Sequence, residues 1–247
     1  MNKKENIIKS VDLIKESWAI YQKNVLKFIE VFVYGLVGLV PMFAILLLFF
    51  AYNITGLVQI VPLYVNIILG IITFVTFVAS IYLAVVYGIR TKVASILLLK
   101  NNFTSAKENF NEAKPYFAKF LGVSLLLVVL ILAWAFALIV PALIFAVYYG
   151  FAQYILIAEN KRPFTAIERS YDLVRGYWWP TFGRLTLLAV MVIIVYVILS
   201  IPTAGMQEGS ATSVIYSVIL NIIWAVLSPY FIIYSYNLYK SLKETNK

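Results

Sequence analysis

No cysteine and no histidine occurs among the 247 residues of this chain. Their absence excludes disulfides, thiol nucleophiles, Cys/His zinc sites, histidine-ligated haem and imidazole acid–base chemistry together. Charge is scarce as well, at 13% of residues, where soluble domains carry about 25%. There are 11 acidic residues, and none falls at the middle of an apolar run. That argues against proton-coupled transport, which keeps an ionisable group deep in the bilayer. There is no P-loop or other glycine-rich phosphate cradle. No catalytic residue, metal site or cofactor is expected, and the chain reads as non-enzymatic.

Apolar side chains fill this space. They make up 63% of the sequence, and the mean hydropathy is +0.91. A soluble core cannot hide that much apolar surface, so lipid must be the solvent for much of it. No charge occurs in 31–89, 120–158, 185–207 or 209–239. A span needs about 20 apolar residues, so the first run predicts two, near Val31–Ala51 and Asn66–Ile89. Asn53, Thr55, Gly56, Gln59 and Pro62 form the turn between them. As one helix, 120–158 would extend about 58 Å, nearly twice the hydrocarbon thickness of roughly 30 Å. It therefore predicts a tight hairpin turning at Ile139–Ala142 with Pro141 as the breaker. Leu185–Ile201 and Ser213–Tyr236 complete six spans. No cleaved leader is expected; the first apolar run, from near Phe28, reads as the first span. The expected fold is all-α, a polytopic helical bundle forming a single membrane domain over 1–247.

The net charge of +9 is explained by sorting rather than by a nucleic-acid partner. With six spans, all 20 Lys and Arg residues fall on one side: those before the first span, those in 90–119, those in 161–184 and those after Tyr239. The opposite loops carry only Glu208. The positive-inside rule makes that basic side cytoplasmic. The expected location is the cytoplasmic membrane of a prokaryote, multi-pass, with both termini inside.

The sequence also repeats. Residues 9–18 read KSVDLIKESW and residues 169–178 read RSYDLVRGYW, while 108–117, ENFNEAKPYF, is a weaker copy. Apolar or small residues recur at Ile7, Val11, Ile14 and Trp18, at Ala106, Phe110, Ala113 and Phe117, and at Ile167, Tyr171, Val174 and Trp178. Spacings of four, three and four place each set on one helical face. Each segment leads into a hydrophobic hairpin. Three pseudo-repeats follow, about 7–89, 104–158 and 164–238, each an amphipathic helix plus two spans. The helices are expected either to lie in the membrane interface or to pack their stripes on the bundle. The residues expected to meet anionic lipid or a protein partner are Lys9, Lys15 and Trp18 in the first copy, and Arg169, Arg175, Trp178 and Trp179 in the third.

Carboxylates and polar side chains near the spans have structural readings. Glu30 and Glu159 are expected to pair with Lys27 and Lys161. Asn66, Thr73, Thr76, Ser80, Ser217, Asn221 and Ser228 are expected to hydrogen-bond between helices.

The stretch Ala158–Trp179, AENKRPFTAIERSYDLVRGYWW, resembles the bacterial YciC-like inner-membrane family. It also resembles the membrane domain fused to some glycerophosphodiester phosphodiesterases. The matching positions are Pro141, Glu159, Ala166, Arg169, Ser170, Leu173, Gly176, Trp178 and Trp179. The resemblance implies a six-span envelope protein, without the phosphodiesterase domain in which the chemistry would reside. The expected role is envelope or lipid-related maintenance through the amphipathic helices. The alternative is the membrane subunit of a transporter energised by a separate partner. A lipid-active enzyme is disfavoured by the missing histidines and buried carboxylates.

Overall fold

A computed structural model describes residues 7–54, 57–207 and 209–246. The expected turn residues Thr55 and Gly56, and the loop residue Glu208, lie outside the described residues. Among the described residues every regular element is a helix. α1 (Ser10–Leu36) continues through a 3-10 turn at Val37–Leu39 into α2 (Val40–Ile54). α3 (Leu57–Ile60) leads to the long α4 (Leu63–Lys100), then α5 (Ala106–Glu112) and α6 (Phe117–Ala137). α7 (Ile139–Tyr149), α8 (Ala152–Ala158), α9 (Pro163–Val174), α10 (Trp178–Ser200) and α11 (Ala211–Thr245) complete the chain.

Among the described residues, six helical stretches are long and apolar enough to cross a membrane: Ser10–Ile54, Leu63–Lys100, Ala106–Phe136, Ile139–Ala158, Trp178–Thr203 and Ala211–Thr245. Helix is the form expected there, because lipid offers no partner for an unpaired backbone amide. The protein is a multi-pass membrane helical bundle. The middle hairpin turns at Leu138, a single extended residue (φ −166°, ψ 142°), slightly ahead of the expected turn. Pro141 stands inside the first turn of α7. There a missing N–H would be unsatisfied anyway, so this proline starts a helix rather than breaking one.

Basic residues among those described gather at one end. Lys27 donates to the carbonyl of Phe103, Lys100 to that of Ile157 (3.3 Å) and Lys119 to Asn160 (3.4 Å). Arg184 donates through Nε to the Ile8 carbonyl (2.8 Å). The terminal helices pack antiparallel: Ile8 N–H meets Ser241 Oγ, Ser17 meets Asn237 and the Tyr21 hydroxyl meets the Val226 carbonyl.

The core also lies at this end. Val93, Ala94, Ser95, Ile96, Leu97, Leu98 and Leu99 are all buried, so the last turns of α4 are enclosed on every side. Around them stand Leu13, Phe28 and Val31 of α1, Phe151, Ile155, Leu156 and Ile157, Leu173 and Val174 of α9, and Tyr234, Leu238 and Leu242 of α11. A helix that is apolar all round must be covered all round, and here protein covers it. The same helix nearer the opposite end is open: Ile67, Ile68, Ile71, Ile72, Phe74 and Val75 are exposed, as suits a surface bathed in acyl chains. The hub begins just past Arg90 and Lys92, where water is the alternative solvent. Each large apolar side chain buried from water contributes about 1.5–3 kcal/mol, whereas apolar contact adds little between helices already in lipid.

Arg90 ties α4 to α5. It is buried, its Nη2 donates to the Phe110 carbonyl at 3.0 Å, and its guanidinium lies 4.1 Å from the Phe110 ring centroid. Most polar groups in the spans bond within their own helices rather than between helices as expected; Asn66 meets the expectation, accepting from the Tyr52 hydroxyl of α2. Thr73 donates to Leu69 O, Thr76 to Ile72 O, Ser80 to Thr76 O, Ser217 to Ser213 O and Asn221 to Ser217 O. A short side chain reaches the free lone pair of the preceding turn more readily than a neighbouring helix.

Candidate functional site

The third copy of the repeated segment forms α9. Pro163 occupies its first turn, where proline is preorganised for a helix. Ala166, Ile167, Ser170, Leu173 and Val174 are buried, so this face of α9 packs on the hub; of the expected stripe, Ile167 and Val174 belong to it, whereas Tyr171 is half-buried and Trp178 lies past the bend. Gly176 adopts φ +89°, a left-handed conformation that favours glycine. The chain turns there and re-enters a helix at Trp178. The first copy does not bend: α1 runs unbroken from Ser10 to Leu36. The residue aligned with Gly176 is Glu16, a good helix former. The first segment is thus the leading part of its own spanning helix, not a separate interfacial one. In the middle copy α5 ends at Glu112, and a 3-10 turn containing Pro115 precedes α6.

Of the residues expected to face lipid or a partner, Lys9, Lys15, Trp18, Arg175 and Trp179 are exposed, while Arg169 and Trp178 are half-buried. Trp179 is the most open of the aromatic ones, at 73% exposed. Trp178 is held from behind: its indole N–H donates to the Ile144 carbonyl (3.2 Å) and its ring stacks on Phe182 (4.9 Å between centroids). Trp18 stacks on Tyr21 and meets the edge of Tyr230. Arg175 and Trp179 therefore share the exposed corner between α9 and α10, near Lys161 and Arg162 in sequence, both also exposed. Glu168 and Asp172, also on α9, line a shallow hollow with Tyr149 and Tyr171, so the outer face of α9 is not uniformly basic.

Glu159 has a partner other than the expected Lys161. Lys243 lies 2.9 Å from its Oε1, and the Tyr239 hydroxyl donates to the same oxygen at 2.8 Å. Burial by itself raises the carboxyl pKa. The hydrogen bonds from Lys243 and Tyr239, with the charges of Lys243 and Arg169, outweigh that and hold it below the usual value of 4.5. Arg169 therefore acts on Glu159 as well as standing near the surface. Lys27 binds the Phe103 carbonyl, and among the described residues no ion pair joins it to Glu30.

A sign follows for pH. A depressed carboxylate stabilises the fold above its unfolded pKa, and the benefit disappears as pH falls through the lower folded value. Glu159→Gln should cost about 1–2 kcal/mol at neutral pH, since charged hydrogen bonds are strong but Lys243 is partly exposed. Thermal unfolding scans of parent and variant should converge in acid. A gap that persists below the folded pKa would contradict this assignment.

A groove of about 620 Å³ that the sequence did not announce lies between α1, α4 and α11. Its walls include Phe32 and Leu39, Gly88 and Lys92, and Ala225 and Pro229. Its sequence signals were Pro229 inside the last apolar run and the glycine pair Gly35 and Gly38 in the first. Comparison with protein-family models, with curated proteins and with solved structures returned no match.

Proposed function

We propose that this is a non-enzymatic multi-pass protein of a prokaryotic cytoplasmic membrane, with both termini cytoplasmic, that engages anionic headgroups of the inner leaflet in an envelope or lipid-related role. The observation that carries the reading is the corner around Gly176, where the exposed Arg175 at the end of α9 and the open indole of Trp179 in the first turn of α10 flank the bend at the foot of a span. Indole rings favour the interface, and a cation near an anionic leaflet contributes about 1 kcal/mol. The resemblance of Ala158–Trp179 to YciC-like proteins supports the same reading.

The headgroup role is tested in nanodiscs by energy transfer from the protein's tryptophans to a headgroup-labelled anionic lipid. Arg162→Gln with Arg175→Gln removes two exposed cations, about 2 kcal/mol at most. The anionic enrichment should fall severalfold at low salt, and added salt should reproduce the loss in the parent. Enrichment equal to the parent at every salt concentration would overturn the reading. A captured cytoplasmic protein that requires the same two arginines would replace lipid as the occupant.

Orientation has its own test. Reporter fusions after Asn53, Lys161, Gln207 and Asn246 should read outside, inside, outside and inside. An outside signal at Lys161 would exclude the double crossing of the middle hairpin.

A further inference from the structure

The groove between α1, α4 and α11 is built from helix irregularities. Pro229 interrupts the hydrogen-bond ladder of α11, because proline has no N–H to give the carbonyl four residues earlier. That carbonyl belongs to Ala225, and the Ser228 hydroxyl takes it instead (3.0 Å). Opposite stands the 3-10 turn Val37–Leu39. Gly35 at the end of α1 and Gly38 within the turn let the chain approach α4 so closely that a Cβ would strike Thr91 or Tyr87 respectively. The two helices meet along this seam, and the groove opens beside it. Interrupted helices that face one another inside a bundle mark ligand sites in membrane proteins.

Its chemistry is graded along its length. On α4 the lining runs from Ala84 through Gly88 to Lys92 and Ser95, about 16 Å at 1.5 Å per residue. The far part is apolar, with Leu36 and Leu39 opposite. The near part carries Lys92, one helical turn past the apolar run that ends at Ile89, and so at headgroup depth. The Lys92 side chain is exposed, and among the described residues no carboxylate lies within 4.0 Å of it. The hydroxyls of Thr91 and Ser95 are spent on backbone carbonyls of their own helix, which leaves the ammonium as the free polar group at the mouth. Leu36 and Lys92 on the rim are both exposed, so the groove is open along its side. The volume lies within the range of about 300–1,000 Å³ typical of ligand sites.

We infer that this groove holds one anionic phospholipid, its phosphate against Lys92 and an acyl chain along Gly88, Ala84 and Leu39. An apolar slot that opens to lipid and ends in one uncompensated cation matches that amphiphile. The inference deepens the lipid reading above but rests on different residues, so the two can fail separately.

Gly88 supplies the decisive variant. A Cβ there would meet nothing within 4 Å, so a side chain at 88 starts in open space, and Gly88→Leu extends one into the slot that Gly88 lines. The protein is reconstituted in equimolar phosphatidylcholine and phosphatidylglycerol, extracted in mild detergent, washed, and weighed intact by native mass spectrometry. The parent should retain one phospholipid, with phosphatidylglycerol preferred. Gly88→Leu should retain none while unfolding at the parent's temperature. Lys92→Gln should retain lipid but lose about fivefold in preference for phosphatidylglycerol, the equivalent of 1 kcal/mol. Arg162→Gln with Arg175→Gln should leave the retained lipid unchanged. Inorganic phosphate added to the wash should not displace it, since a free anion has no acyl chain to seat. The inference fails if the parent retains no lipid, if Gly88→Leu retains as much as the parent, if Lys92→Gln keeps the parent's preference, or if phosphate alone displaces the ligand.

Discussion

Leu97→Ala should destabilise the purified protein by about 2–5 kcal/mol, the cost of emptying a packed core site. Ile72→Ala, on the same helix, should change stability by well under 1 kcal/mol. The contrast is informative because both residues belong to one long apolar helix, and hydropathy does not separate them. Leu97 is 0% exposed to its surroundings and Ile72 is 54% exposed. Leu97 belongs to the hub in which α4 packs against α1, α8 and α11, where the alternative to burial is water. Truncating it removes dispersion contacts and leaves a void. Ile72 faces lipid, and a shorter side chain there is met by a shifted acyl chain, which flows into the space at little cost. Unfolding of the two variants in one detergent, by temperature or by denaturant, measures the difference. Equal losses would mean that the membrane-embedded half carries the stability, and that the hub at the basic end is not the core.

Ser170→Ala should be the second most damaging of the changes considered. The Ser170 hydroxyl is fully buried and bridges the break between α7 and α8. It donates to the Tyr148 carbonyl at 2.7 Å and accepts from the Phe151 N–H at 3.2 Å. Both backbone groups lack helix partners there because the chain turns at Gly150. A buried group left unpaired costs about 1–3 kcal/mol, and alanine orphans two of them. Ser170→Cys, with a weaker donor of similar size, should recover part of the loss. Were alanine as stable as serine, the bridge would contribute nothing to the α7–α8 joint. Amide exchange gives a local readout: the protection of Phe151 N–H should fall in the alanine variant even where the global transition moves little.

The serine shows what kind of information the repeated segment carried. In KSVDLIKESW and RSYDLVRGYW the serine is shared, as are the Asp, the Leu and the Trp. Pattern alone placed Ile167, Tyr171, Val174 and Trp178 on one face; Ile167 and Val174 are buried in α9, Tyr171 is half-buried, and Trp178 falls past the bend in α10. It did not say what the face packs against. Nor could it separate a helix lying in the interface from one docked on protein, since both require the same stripe. Glu16 against Gly176 was the local clue to why the first copy runs straight and the third one bends. Its weight becomes clear only once the φ of +89° at Gly176 is seen.

What the sequence determined by itself rests on solvent. Runs of about 20 apolar residues without charge must become helices in lipid, because each backbone amide has to find its partner inside the segment. The six spans and the clustering of basic residues at one end follow from that and from the placement of Lys and Arg. Only the tertiary structure decided where the core lies. Hydropathy measures avoidance of water and is blind to whether lipid or protein provides the shelter, so Val93–Leu99 reads the same as the lipid-facing turns before it. Long-range partnership was hidden for a related reason. Tyr239 reaches Glu159 from 80 positions away, and Tyr21 reaches Val226 from 205. Local pattern constrains which face a residue occupies, but which helix stands opposite is set by how all the hairpins pack at once. The groove beside Lys92 arises from that packing alone, where a glycine seam on α1 happens to face the proline break of α11.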